Sequence, residues 1–165
     1  MTWGIPTDLF LKFHVVISLI GIASGLVAMI ALAGGRLLSG WMALFLVTTV
    51  LTSVTGFPLA PFGLDPPRIV GIISLVALAV AIGSLYLFHL AGAWRWIYVV
   101  TATVALFFNC FVAVIQSFDK IPTLHAIGPT QDAAVVHICQ VVVLVICIVL
   151  GSLSLRRFHP NTATA

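Results

Sequence analysis

The side chains in this sequence best able to do chemistry near neutral pH are its histidines, because imidazole both exchanges protons and binds metal ions. There are five: His14, His89, His125, His137 and His159. His14 stands near the start of the first long apolar run and His137 about one turn inside the last. At such depths two imidazoles can hold a b-type haem iron or a copper ion. His14 and His137 are therefore the candidate cofactor-binding pair. His125, in the polar stretch before the last run, extends them to the candidate metal set His14, His125 and His137. No HxxxH, HExxH or CxxC spacing draws any of these together along the chain. Each histidine taken singly reads as an interfacial hydrogen-bonding group.

A second group is made of amides. Asn109 and Gln116 are seven residues apart and share a helical face, and Gln140 follows His137 by one turn. With Asp119 they form either hydrogen-bonded links between helices or a polar path from Asn109 through Gln116 toward Asp119 and His125. Cys110, Cys139 and Cys147 have no motif spacing and read as small apolar packing residues. Serine-nucleophile motifs, glycine-rich phosphate loops and paired carboxylates are absent from the sequence, so no catalytic residue is assigned.

The elements that must position these groups follow from the spacing of the charges. Only 7% of the 165 residues are charged, against about 25% in an ordinary soluble domain. The +3 balance is scattered rather than clustered, which is no footprint for nucleic acid. Charge-free stretches of 23, 28, 26, 23 and 23 residues separate Lys12 from Arg36, Arg36 from Asp65, Arg68 from Arg95, Arg95 from Asp119, and Asp132 from Arg156. A helix needs about 20 apolar residues to cross a hydrocarbon core. The spacing predicts an all-α integral membrane bundle of five transmembrane helices, over 13–33, 41–60, 69–91, 96–118 and 134–155, in one membrane domain spanning 1–165. Strands are excluded because the runs are apolar on every face rather than alternating, and an open sheet would leave amides unpaired in lipid. Ala31-Leu32-Ala33 resembles a signal-cleavage site, but Asp8 and Lys12 leave the leading segment nearly neutral and the run exceeds a signal h-region, so the first run is expected to remain as a span.

Five crossings put the two termini on opposite sides. The first side receives residues 1–12, the 61–68 loop and the 119–133 loop, with Lys12, Arg68, Lys120 and all four aspartates, Asp8, Asp65, Asp119 and Asp132. The second receives Arg36, Arg95, Arg156 and Arg157 and no acid. Basic residues at helix ends mark the cytoplasmic face, so the N-terminus is expected outside and the C-terminus in the cytoplasm. Pro6, Pro58, Pro61, Pro66, Pro67, Pro122 and Pro129 stiffen the first side, where a site is therefore expected. Within 119–133, Ile121, Leu124 and Ile127 recur every third residue, as in a short interfacial helix. Ser18, Gly21, Gly25 and Ala28, the row Thr48, Thr52 and Thr55, and Ala77, Ala81 and Ser84 are the expected packing faces. Trp41, Trp94, Trp96 and Tyr98, with Trp3 on the first side, are expected as headgroup-level anchors. The absence of any charge at mid-membrane argues against a proton relay or ion-coupled pump.

The tract HLAGAWRWIYVVTA at His89–Ala102, together with FHVVISLIGIASGL, TSVTGF at Thr52–Phe57, GIISLV at Gly71–Val76 and PTQ at Pro129–Gln131, resembles a family of small bacterial multi-pass inner-membrane proteins with no assigned activity. The resemblance implies a bacterial inner-membrane protein and brings no substrate, cofactor or catalytic residue. His14 and His89 lie in its tracts, whereas His125 and His137 do not, and the Asp132-Ala133-Ala134 stretch departs from it.

The function these features favour is a non-enzymatic accessory or assembly component. Its partners would be the lipid bilayer and a larger membrane complex or copies of itself, with no nucleic acid. The alternatives are a small redox protein holding haem or copper through first-side histidines, and a small-solute carrier or channel using the threonine row and Asn109.

Overall fold

The computed structural model describes residues 4–59 and 66–160. Trp3, Pro61, Asp65 and the last residue of the second expected span, Ala60, lie outside them. Of the described residues 82% are helical and none forms a strand. Its helices are α1 (Thr7–Ala33), α2 (Ser39–Gly56), α3 (Pro66–Ile82), α4 (Trp94–Lys120), the short α5 (Pro122–Ile127) and α6 (Ala134–Arg157). All but α5 are long and apolar enough to cross a membrane, α3 together with the turn that follows it, which is the build of a multi-pass membrane protein. The reason is hydrogen-bond economy: in hydrocarbon a helix satisfies its backbone within one segment.

Helix ends extend beyond the charge-free runs where ion pairs can face water. α1 begins at Thr7 rather than 13, and its first turns carry a Lys12–Asp8 pair at 2.7 Å, both side chains largely exposed. α4 runs to Lys120, whose ammonium lies 2.5 Å from Asp119. At 27 residues α1 is about 40 Å long, longer than the hydrocarbon is thick, so these pairs fall outside it.

The third span departs from the expected helix over 69–91. The α-helix stops at Ile82, a π-helical turn covers Gly83–Leu87, and an irregular turn carries the chain to α4. The Phe88 amide donates to the Gly83 carbonyl and the Leu90 amide to that of Ser84, both at 3.0 Å. His89 and Leu90 then take left-handed φ angles of 47° and 59°. Phe88 stacks on Trp94 with ring centroids 3.7 Å apart, and Leu90 is buried. Apolar composition is blind to a one-residue change in hydrogen-bond register, which is why hydropathy ran the helix through.

α1 packs on α2, α6 and α4, while α4 also packs on α3 and α6, and α2 on α3. The small residues make this possible. Gly21, Ser24, Gly25 and Ala28 are buried, and a Cβ on Gly25 would sit 2.7 Å from the Phe45 ring and 2.8 Å from Leu106. Gly151 of α6 receives Thr103 of α4 in the same way, at 3.1 Å from a Cβ position. The threonine hydroxyls of α2 fold back on their own helix: Thr48, Thr52 and Thr55 donate to the carbonyls four residues earlier at 2.6, 2.8 and 2.7 Å.

Two arginines tie the ends. Arg95, at the start of α4, donates to the carbonyls of Leu155 and Phe158 at 3.1 and 2.5 Å, capping the C-terminus of α6. Arg68, in the first turn of α3, donates to those of Phe57 and Leu59 at 3.3 and 2.6 Å, beyond the end of α2. A cation suits a helix C-terminus because the last carbonyls are unpaired and carry partial negative charge. The Arg95 contacts join the start of α4 to the end of α6. Gly35, just past α1, lies against the Arg157 carbonyl, 3.1 Å from where a Cβ would be, so these ends share one pole with Arg36, Arg95, Arg156 and Arg157. The described aspartates Asp8, Asp119 and Asp132 lie at the other.

Trp41 and Trp96 are exposed at the basic pole, as expected of anchors. Tyr98 is not: it is wholly buried, in the core with Met29, Phe45, Leu78 and Leu106. It shares a helical stripe with Ala102, Ala105 and Leu106, so the period of α4 overrides its preference for the interface.

Candidate functional site

The polar side chains singled out from the sequence divide between the acidic pole and the interior. His14 lies seven residues into α1 and faces the end of α2, where its Nδ1 is 2.8 Å from Thr55 Oγ1. The single hydroxyl hydrogen of Thr55 is directed to the Leu51 carbonyl, so the ring nitrogen must be the donor. His14 thus links α1 to α2 through Nδ1–H and keeps the lone pair of Nε2. Gly56 beside it leaves room for the ring, whose Cε1 lies 3.6 Å from where a Cβ would be.

His125 is held by similar logic. α5 starts at Pro122, whose fixed φ suits a first helical turn, and brings His125 Nδ1 within 3.2 Å of the Phe118 carbonyl. A carbonyl only accepts, so Nδ1 again carries the proton and Nε2 is left free. The loop can fold back this closely because Gly128 has no Cβ; one there would meet the Phe118 ring at 2.8 Å and Val135 at 3.0 Å. Asp119, His125, Thr130 and Gln131 line one small cavity of about 50 Å3 under this loop, room for a few waters. Asp119 and His125 are the sequence candidates that the fold brings together here.

The others lie apart. His137 is exposed in the first turn of α6. Among the described residues no group of three or more His, Cys, Asp or Glu side chains converges as a metal would require, and His14, His125 and His137 do not form one. Gln116 is exposed on α4, and Gln140 is half-buried on α6.

Asn109 lies inside the bundle. Its Nδ2 donates to Thr49 Oγ1 at 3.1 Å, joining α4 to α2, and Thr49 is fully buried. Gly21 of α1 completes the junction: a Cβ there would lie 3.2–3.3 Å from Thr48 Oγ1, Asn109 Nδ2 and Thr49 Oγ1. Three helices therefore meet at one amide–hydroxyl bond. Its chemistry is that of a structural tie, one amide N–H of half-buried Asn109 donated to the buried Thr49 hydroxyl oxygen.

No family model, curated protein or solved structure matches this chain. The role must be argued from its own residues.

Reasoning from the sequence missed Arg68 and Arg95. Both stand at helix starts, where a cation is unhelpful to its own helix dipole. That mismatch was the available signal that each serves a neighbouring C-terminus instead.

Proposed function

We propose that the protein is a non-enzymatic membrane subunit or assembly component that packs against a larger membrane complex through α6. The observation that carries this is the bareness of that helix. α6 has 24 residues and buries only Val136, Cys147, Gly151 and Ser154. Its seam with α1 and α4 is narrow and small-residued, and the remaining surface is almost wholly β-branched: Ile138, Val141, Val142, Val145, Ile146, Ile148 and Val149 are all about half exposed. β-branched side chains hold one rotamer in a helix. Such a face loses little conformational entropy on packing, and packing is what drives helix association in lipid.

Two features support a bacterial inner-membrane setting with the basic pole in the cytoplasm. One is the family resemblance of the tracts quoted above. The other is the grouping of Arg36, Arg95, Arg156 and Arg157 at one pole without an acid, the pattern of a cytoplasmic face.

The test is site-specific photo-crosslinking in the native membrane, with the probe at Val145 on α6 or at Val76, an equally lipid-exposed position on α3. The proposal expects one defined protein adduct from Val145 and none from Val76. Lipid adducts alone from both positions, with a lone monomer in mild detergent, would overturn it.

A further inference from the structure

At the basic pole three helix ends meet around the last turn of α6. Arg95, from the start of α4, donates to the carbonyls of Leu155 and Phe158. The turn after α1 closes on the same place, since a Cβ on Gly35 would sit 3.1 Å from the Arg157 carbonyl oxygen. Gly35 has a φ of 80°, and its amide and that of Arg36 donate to the carbonyls of Leu32 and Ala31 at 2.8 and 2.9 Å. Phe158 is buried in the core, and its amide closes the helix onto the Ser154 carbonyl at 2.9 Å. The backbones that carry Arg36, Arg156 and Arg157 are therefore fixed side by side. Arg36 follows Gly35 by one Cα step of about 3.8 Å.

The charge gathered here is not balanced by the described residues. Arg36, Arg156 and Arg157 are all exposed, and among the described residues no carboxylate pairs with them. The C-termini of α1 and α6 supply a partial charge of about −0.5 each, which Arg95 alone offsets. Three guanidinium charges are left, on one helical turn and the loop beside it. Trp41 and Trp96 are exposed at the same pole, where aromatic rings mark the depth of lipid headgroups. The anion a bilayer offers at that depth is phosphate, whose oxygens a guanidinium binds two at a time. One phosphodiester balances one of the three charges, whereas a headgroup with two phosphates balances two.

We propose that Arg36, Arg156 and Arg157 form a binding site for the headgroup of one diphosphate phospholipid, at the joint between the end of α1 and the end of α6. The two phosphates bridge the loop after α1 to the last turn of α6, relieving the repulsion among the three cations. This rests on the five-span architecture, not on docking through α6 and not on which pole is cytoplasmic.

The experiment is native mass spectrometry and thermal unfolding of the detergent-purified, delipidated protein with added diphosphatidylglycerol, phosphatidylglycerol, phosphatidylcholine or inorganic pyrophosphate. The wild type is expected to retain one diphosphatidylglycerol, in preference to either other lipid, and to be stabilised by it. Arg36→Gln and Arg157→Gln, at exposed positions that leave the fold alone, should each weaken that retention about fivefold, the effect of one surface cation. The double variant should weaken it about twenty-five-fold. Lys12→Gln, the same loss of charge at the other pole, should leave it unchanged. Retention of diphosphatidylglycerol no better than that of phosphatidylglycerol or phosphatidylcholine would overturn the proposal. So would undiminished retention in the double variant, or an equal loss in Lys12→Gln, which would mark a response to net charge alone. Equal stabilisation by pyrophosphate would overturn the assignment to a lipid.

Discussion

At the scale of single residues, polar atoms in this bundle are either tied down or conspicuous. His14, Asn109 and the α2 threonines each find a partner on a neighbouring helix or on their own backbone, because an unpaired polar group in a dry interior is costly. Tyr98 is the exception. It is fully buried, and its hydroxyl has no hydrogen-bond partner among the described residues. Leaving a hydroxyl so costs about 1–3 kcal/mol. Tyr98→Phe should therefore stabilise the protein by about 1 kcal/mol, seen as a raised unfolding midpoint in detergent. A lowered midpoint would show that the hydroxyl is satisfied by a bound water. The aromatic type of Tyr98 pointed to the interface, while its place in the stripe with Ala102 and Ala105 pointed inward. Packing geometry, not residue type, decided.

At the scale of elements, the helices were legible and their junctions were not. Charge-free runs locate spans because hydrocarbon rejects charge wherever it falls, so α4 and α6 lie within two residues of the expected bounds, while α2 ends at Gly56, four residues short of the expected 60. Small-residue faces on α1 and α3 were legible for a related reason: close approach of backbones needs glycine, alanine or serine. The π-turn after Ile82 was hidden, since a shift in hydrogen-bond register leaves hydropathy unchanged. The arginine caps were hidden too, because they depend on which helices become neighbours. Of the candidate site, the tie made by Asn109 was foreseeable as polar glue, but its partner Thr49 was not. The meeting of Asp119 and His125 depended on how Gly128 lets the loop close over Phe118. The cap made by Arg95 gives a prediction at this scale. Arg95→Gln removes a charged donor from two α6 carbonyls and should destabilise the protein by about 1–2 kcal/mol, given partial exposure. Hydrogen exchange at the last turn of α6 should rise first. Uniform exchange across the bundle, with no excess at Leu155–Phe158, would deny that the arginine acts as a local cap.

At the scale of the whole molecule, the distribution of side chains requires a solvent other than water. Val76, Leu87 and Ile138 are each more than 60% exposed, and similar residues cover every long helix. In water such a surface would aggregate, while in a bilayer it is the contact surface. The charged residues are confined to two poles, with the described acids at one and Arg36, Arg95, Arg156 and Arg157 at the other. Five crossings send the first and last helices out on opposite faces. The two poles carry their own markers, the short α5 at one and the α3–α4 turn at the other. The most direct test replaces the native cysteines by alanine, introduces a single cysteine at Ala126 on α5 or at Ala93 in the turn before α4, and treats intact cells with a membrane-impermeant maleimide. Both positions are exposed. Labelling of Ala126→Cys without lysis, and of Ala93→Cys only after it, is the predicted result. Labelling of both from the same face would contradict the five-span arrangement.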